Sequence, residues 1–313
     1  VRIAVLGGGA WGSAFSGLAT AGGPVTLVVR DADRVADVAD GLTVTTFADE
    51  DALVGAAVVA CAVPSRAVAE VASWAADRMD RDAAVLCLTK GLDPASGRRL
   101  SQVWLEVVAA GTPYCVLTGP NHAEEIADGQ PAAAVIAGDD ALAHALQARL
   151  ASPTFRPYVN QDLLGAELCG AAKNVIAVAA GMGEGIGLGD NARAAVITRG
   201  LAEMTRLGVA CGADADTFRG LAGVGDLVAT CLGRYSRNRR AGELLALGVA
   251  VGDVERELGQ VAEGLWTARN LVALADDVDV ELPICREVLA ALDGKDPRAC
   301  LHDLMTREPR PEV

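Results

Sequence analysis

Gly7-Gly8-Gly9-Ala10-Trp11-Gly12 decides the fold: it follows the apolar run Ile3-Ala4-Val5-Leu6 and opens a segment of helical period over 11–21. Three glycines at this spacing, with a strand before and a helix after, match the G-x-G-x-x-G turn of a dinucleotide-binding βαβ unit. Each has its own steric task. Gly7 makes the tight turn, Gly9 lets a pyrophosphate approach the backbone, and Gly12 lets the helix pack closely on the strand. Free N–H groups and the positive dipole end at the helix start then face the phosphates.

Beyond this turn, short β-branched runs alternate with longer Ala-rich segments. The strand pattern recurs over 25–29, 58–63, 84–88, 114–117, 132–136 and 155–159, with helical period over 66–76, 100–109 and 142–150. Such alternation predicts a doubly wound, mostly parallel sheet of the Rossmann type. After residue 160 the β-runs stop, and helical period occupies 162–182, 192–210, 237–247, 263–275, 284–293 and 298–306. The chain therefore reads as α/β, with a dinucleotide-binding domain over 1–160 and an all-helical domain over 161–313. A short Pro-containing tail occupies 307–313.

The end of the second strand, Val29-Arg30-Asp31, lies roughly twenty residues past the glycines, where the adenosine ribose is expected. Asp31 suits a free 2′-OH and Arg30 a 2′-phosphate, so NAD and NADP both stay open. Arg30, nearer the strand end, leans toward NADP.

Net charge is −14 with no basic block, which argues against nucleic acid or an anionic membrane as partner. An anionic substrate then needs a local cluster of cations. Lysine is scarce: Lys90, Lys173 and Lys295 are the only three. The eight cysteines show no C-x-x-C spacing and several lie in apolar runs, as reduced, buried thiols in the cytoplasm would. Three histidines without paired spacing predict no metal site. No uninterrupted apolar stretch reaches about 18 residues, so no membrane span is expected. The opening strand does not read as a signal peptide.

Four segments carry polar residues where a core prefers apolar ones. Leu88-Thr89-Lys90-Gly91 puts a lysine at the C-terminal end of a strand, the edge where open sheets bind ligands. Thr118-Gly119-Pro120-Asn121-His122-Ala123 again joins a strand to a helix start, with Gly119 permitting close approach and Asn121 able to cap or to contact a ligand. His122, beside a helix start, reads as structural. Cys169-Gly170-Ala171-Ala172-Lys173-Asn174-Val175 embeds a lysine and an asparagine in an apolar helix, where an ammonium is costly without a chemical reason. Last, Gly223-Val224-Gly225-Asp226 precedes Tyr235-Ser236-Arg237-Asn238-Arg239-Arg240. Arginines at a helix start oppose the helix dipole, a conflict that a bound phosphate resolves.

Taken in order, GGGAWGSA at 7–14, TKGL at 89–92, TGPNHAEEI at 118–126, AAKNVIAVAAG at 171–181, LAGVGDLVATC at 221–231, SRNRRAGELL at 236–245 and VAEGLWTA at 261–268 resemble the bacterial NAD(P)-dependent glycerol-3-phosphate dehydrogenase family over nearly the whole chain. Ala10 replaces a serine often found there, and Asn121 stands where many members have Ser or Thr. The resemblance implies a helical domain like that of 6-phosphogluconate dehydrogenase and a role in supplying glycerol 3-phosphate for phospholipids. It implies Lys173 as the general acid/base, and Lys90, Gly119, Asn121, Asp226, Ser236, Arg237 and Asn238 around the substrate. Ala10, Trp11, Arg30, Lys90, Ala123, Arg237 and Glu263 would contact the dinucleotide. A homodimer through the helical half is implied too.

Hydride reduction of a ketone leaves an alkoxide that must gain a proton, which Lys173 would supply. Lys90 beside it would polarise the carbonyl, and its charge, together with burial, would lower the pKa of Lys173. Asp226 would hold an ammonium or a substrate hydroxyl, and Arg237 with Asn238 would bind the phosphate. Two rival readings are a β-hydroxyacid or 6-phosphogluconate-type dehydrogenase, and a catalytically silent dinucleotide-binding sensor.

Overall fold

The computed structural model describes residues 2–35 and 40–308, so most of the tail over 307–313 lies outside the described residues. The first half runs β1 (Ile3–Leu6), α1 (Ala10–Thr20), β2 (Val25–Val29), β3 (Leu42–Thr46), β4 (Val58–Cys61), α2 (Val68–Ala76), β5 (Ala84–Cys87), α3 (Leu100–Val107), β6 (Tyr114–Thr118), α4 (Ala123–Ala127), β7 (Ala132–Gly138), α5 (Asp140–Leu150) and β8 (Phe155–Asn160). The eight strands form one sheet in the order β3-β2-β1-β4-β5-β6-β7-β8. All neighbours are parallel except β6 and β7.

β1, β2, β4, β5 and β6 are buried along their whole length. Both faces of a parallel sheet are covered by helices, so these strands read as continuous apolar runs and not as alternations. The period of two reappears in the cores: Ile3 and Val5 feed one, Ala4 and Leu6 the other. The chain leaves β1 for β2 and β3 on one side and returns to β4 on the other. This places the reversal of strand order, where such sheets bind ligands, between β1 and β4.

The second half is helical: α6 (Leu163–Gly185), α7 (Asp190–Ala210), α8 (Ala215–Arg219), α9 (Asp226–Leu232), α10 (Arg237–Ala246), α11 (Val251–Leu258), α12 (Glu263–Asp277), α13 (Pro283–Leu292) and α14 (Pro297–Thr306). Asp162 caps α6 by accepting from Gly165 N at 2.8 Å. Among the described residues α6 is the one helix long and apolar enough to cross a membrane, and 83% of its apolar window is buried inside the protein. It is thus the axis of the helical half, buried most of the way round because other helices pack on it, with Glu167, Lys173 and Asn174 as its buried polar residues. Small residues let those helices close in. A Cβ on Gly181 would lie 1.8 Å from Arg239 O, and one on Gly242 2.0 Å from Val178 O, so α6 and α10 cross with their backbones touching. The core on the Ala4 and Leu6 face continues into α6, joining the halves through one apolar interior.

Every one of the eight cysteines is a free thiol; seven are buried and Cys211 is partly exposed. Burial raises the pKa of the interior thiols.

Candidate active site

The glycine turn has the shape its three tasks require. Gly7 has φ +110°, and a Cβ there would meet Ala62 O of the β4 loop at 3.0 Å. Gly12 faces inward: a Cβ would lie 1.9 Å from Gly7 O. Gly9 faces outward, with nothing within 4 Å of where a Cβ would be. That open side, the uncapped N–H groups of α1, Ala10 in its first turn and the buried, unpartnered Trp11 Nε1 fit a pyrophosphate and its adjoining ribose. Arg30 lies exposed at the end of β2. Asp31 turns a carboxylate oxygen to Asp33 N at 3.2 Å and caps the short turn Ala32–Arg34.

Further along the same sheet edge, Glu263 at the start of α12 accepts from Ser65 N at 3.0 Å and from Ser65 Oγ at 2.5 Å. Burial pushes its carboxyl up from the ordinary range, against the pull of those bonds. One turn along α12, Thr267 Oγ1 is buried without a partner beside Gly91. α12 therefore lies against the loops that follow β4 and β5.

The lysines meet on one carboxylate. Lys90, in the loop after β5, donates to Asp226 Oδ2 at 2.7 Å and to Gly119 O at 2.8 Å. Lys173, midway along α6, donates to Asp226 Oδ1 at 3.0 Å and to Thr230 Oγ1 at 2.9 Å. Burial is the largest influence on Lys173 and, with the charge of Lys90, outweighs Asp226 to bring the ammonium down to about 8. Burial alone would push Asp226 up, but the two lysines hold its carboxyl below the ordinary range.

Local sequence explains how Asp226 gets there. Leu221–Gly225 forms one π-helical turn, closed by Gly225 N to Gly220 O at 3.1 Å. Gly223 is needed because a Cβ would lie 2.0 Å from Phe218 O. Asp226 then opens α9, where the helix dipole favours a carboxylate.

The remaining residues expected around the ligands divide. Asn121 has both amide atoms buried and unpartnered, on the loop that Gly119 starts at φ +122°. Ala123 begins α4, and His122 donates through Nε2 to Ala229 O at 3.1 Å, the structural part expected of it. Ser236 caps α10 by accepting from Arg239 N at 3.2 Å, and Arg237 stands exposed in the first turn. The Asn238 side chain bonds to other helices: Nδ2 donates to Asn174 Oδ1 at 2.8 Å, and Oδ1 accepts from Gly264 N at 2.8 Å. It ties α6, α10 and α12 together, and these two bonds leave one Nδ2 hydrogen uncommitted.

Thr230 was missed by sequence reasoning, although its spacing of four from Asp226 places both on one face of a helix. Ser65 was missed as well, since it has no local signal.

Fold and site together define an NAD(P)-dependent oxidoreductase whose lysine–aspartate cluster draws on both halves of the chain. Residues 2–143 match the family described as NAD-dependent glycerol-3-phosphate dehydrogenase N-terminus, and residues 162–302 match its C-terminus. A glycerol-3-phosphate dehydrogenase [NAD(P)+] of Frankia casuarinae is 47% identical, over 99% of this chain and 98% of that one. The crystal structure of glycerol-3-phosphate dehydrogenase from Coxiella burnetii superposes with a TM-score of 0.92 at 35% identity, covering 98% of this chain and 99% of that one. A ketopantoate reductase of Ralstonia eutropha shares the fold at a TM-score of 0.61 and 16% identity, over 97% of this chain and 100% of that one. The chain belongs to the NAD-dependent glycerol-3-phosphate dehydrogenase family.

Proposed function

We propose that this chain interconverts dihydroxyacetone phosphate and sn-glycerol 3-phosphate, with Lys173 moving the proton. The observation that carries this reading is the Lys173 ammonium, buried, held by Asp226 and Thr230, and lowered to about 8. NADPH or NADH, when bound, supplies the hydride to the carbonyl carbon. As the carbonyl oxygen becomes an alkoxide, Lys173 Nζ gives it a proton and is left as the neutral amine, which regains a proton from solvent. In the reverse direction the neutral amine takes the hydroxyl proton. Lys90 stabilises the charge that develops on the oxygen, and Asp226 keeps both ammonium groups in place.

Gly7, Gly9, Gly12, Ala10, Trp11, Arg30, Ala123 and Glu263 hold the dinucleotide in this reading, and exposed Arg30 beside a committed Asp31 favours NADP. Gly119 and Asn121 face the substrate's oxygens. Arg237, the Ser236 hydroxyl and the N–H groups at the start of α10 take the phosphate, while the Asn238 side chain braces that helix. Residues 1–160 form the dinucleotide domain and 161–313 the substrate domain. The enzyme would act in the cytoplasm as a homodimer, supplying glycerol 3-phosphate for phospholipids.

The test is oxidation of NADPH and NADH by purified protein, followed at the nicotinamide absorbance band, with dihydroxyacetone phosphate added. Rapid oxidation is expected. Dinucleotide binding with no oxidation by this ketone would overturn the substrate and leave the fold intact.

A further inference from the structure

Much of the surface arginine in this acidic chain is neutralised in place. Arg219 pairs with Asp216 at 2.7 Å and Arg269 with Asp293 at 2.5 Å, and Arg239 holds both Glu184 and Glu243. Around Arg239 the pattern breaks. Arg234, Arg237 and Arg240 are exposed and make no ion pair with a carboxylate of the described residues. The one acid nearby on α10, Glu243, is already taken by Arg239.

These three cations fall within seven residues around the start of α10. Arg237 is close enough to lower Lys173 and Glu263 by its charge, and Arg240 follows one turn later on α10. Arg234 stacks on Tyr235 with its guanidinium carbon 4.6 Å from the ring centre. The Tyr235 ring lies 6.2 Å from that of His122, the neighbour of the unpartnered Asn121. Arg234 thus lies toward the His122–Asn121 loop, and Arg237 and Arg240 stand on the first turn of α10. Three unpaired cations at a helix start oppose its dipole, so the arrangement costs stability when nothing anionic is near.

We propose that Arg234 and Arg240 form an electrostatic entrance that draws a phosphate dianion toward Arg237. This rests on the reading that the substrate phosphate seats at the start of α10. A net charge of −14 repels a dianion at long range. A local patch of three positive charges inverts the field over the last Debye length, about 10 Å at 0.1 M salt.

The experiment compares wild type with Arg234→Gln, Arg240→Gln, the double Gln variant and the double Glu variant, with Arg81→Gln as control. Arg81 is exposed in the turn before β5, at the opposite edge of the sheet from the cleft. kcat and kcat/KM for dihydroxyacetone phosphate are measured at saturating NADPH, from about 0.02 to 0.5 M ionic strength. Each neutralised arginine should lower kcat/KM about threefold at low salt, charge reversal should lower it further, and the differences should vanish at high salt. kcat and KM for NADPH should hold steady. Wild-type kcat/KM in the double Glu variant at low salt would overturn the proposal. So would a loss confined to KM for NADPH, which would assign the cations to the dinucleotide, or a loss that persists at high salt. Absence of turnover in wild type would instead sink the substrate assignment before any variant is made.

Discussion

Lys90, in the loop after a strand of the sheet, and Asp226, the first residue of a helix 136 positions later, meet at 2.7 Å across the seam between the two halves. Asp226 spends its other oxygen on Lys173. Lys173, Asp226 and Thr230 all belong to the helical half, and the sheet half adds Lys90 to the cluster. The carboxylate that keeps both lysines in register belongs to the helical half, and one of those lysines to the sheet.

Lys173→Ala should lower turnover about a thousandfold or more, since positioned acid–base groups contribute about 100- to 10,000-fold. Dinucleotide binding, read by NADPH fluorescence, should stay within about threefold of wild type, because the glycine turn lies elsewhere. Turnover at wild-type rates would remove Lys173 from the chemistry.

The pH profile follows from Lys173 at about 8. Reduction needs the ammonium, so its rate should be flat below that value and fall above it. Oxidation needs the neutral amine and should rise with pH until that value is passed. Lys90→Gln removes a neighbouring cation and should move both limbs upward in pH; unmoved limbs would show that Lys90 does not act on Lys173.

Gly9→Ala and Gly12→Ala should separate binding from folding. A methyl on Gly9 enters open space, so the melting temperature should hold while dinucleotide affinity falls. A methyl on Gly12 meets Gly7 O and should cost about 2 kcal/mol or more by overpacking. Calorimetry and a binding titration on both variants decide it.

Arg237→Ala should raise KM for the phosphorylated ketone about 10- to 100-fold with a smaller change in kcat, the loss of charge-assisted hydrogen bonds. Asn238→Ala should behave differently. It leaves Gly264 N and Asn174 Oδ1 buried without their partner, and should cost about 2–4 kcal/mol of stability. Equal melting temperatures for wild type and Asn238→Ala would return Asn238 to the substrate.

Much of this is legible in the sequence. The glycine turn, the strand that precedes it and the long helix around Lys173 each carry their signal within a dozen residues, and each forms where the pattern put it. β3 escaped because Leu42–Thr46 is a half-exposed edge strand with few large apolar residues. α8 and α9 escaped because helices of 5 and 7 residues are too short for a period to stand out. The site was legible as a set of motifs but not as contacts. That two lysines share Asp226, and that Ser65 meets Glu263 over 198 residues, are outcomes of packing with no trace in either local stretch. Asn238 marks the same limit from the other side: its motif says phosphate, yet its amide atoms close a helix junction.

The distribution of thiols makes the chain its own reporter. With seven cysteines interior and Cys211 alone partly exposed at the end of α7, a bulky maleimide should add one mass increment to the folded protein and eight to the unfolded one. Slow growth of the higher increments under native conditions would time the opening of the core directly. The same asymmetry gives a single natural point of attachment for a fluorophore or a surface, with no residue replaced.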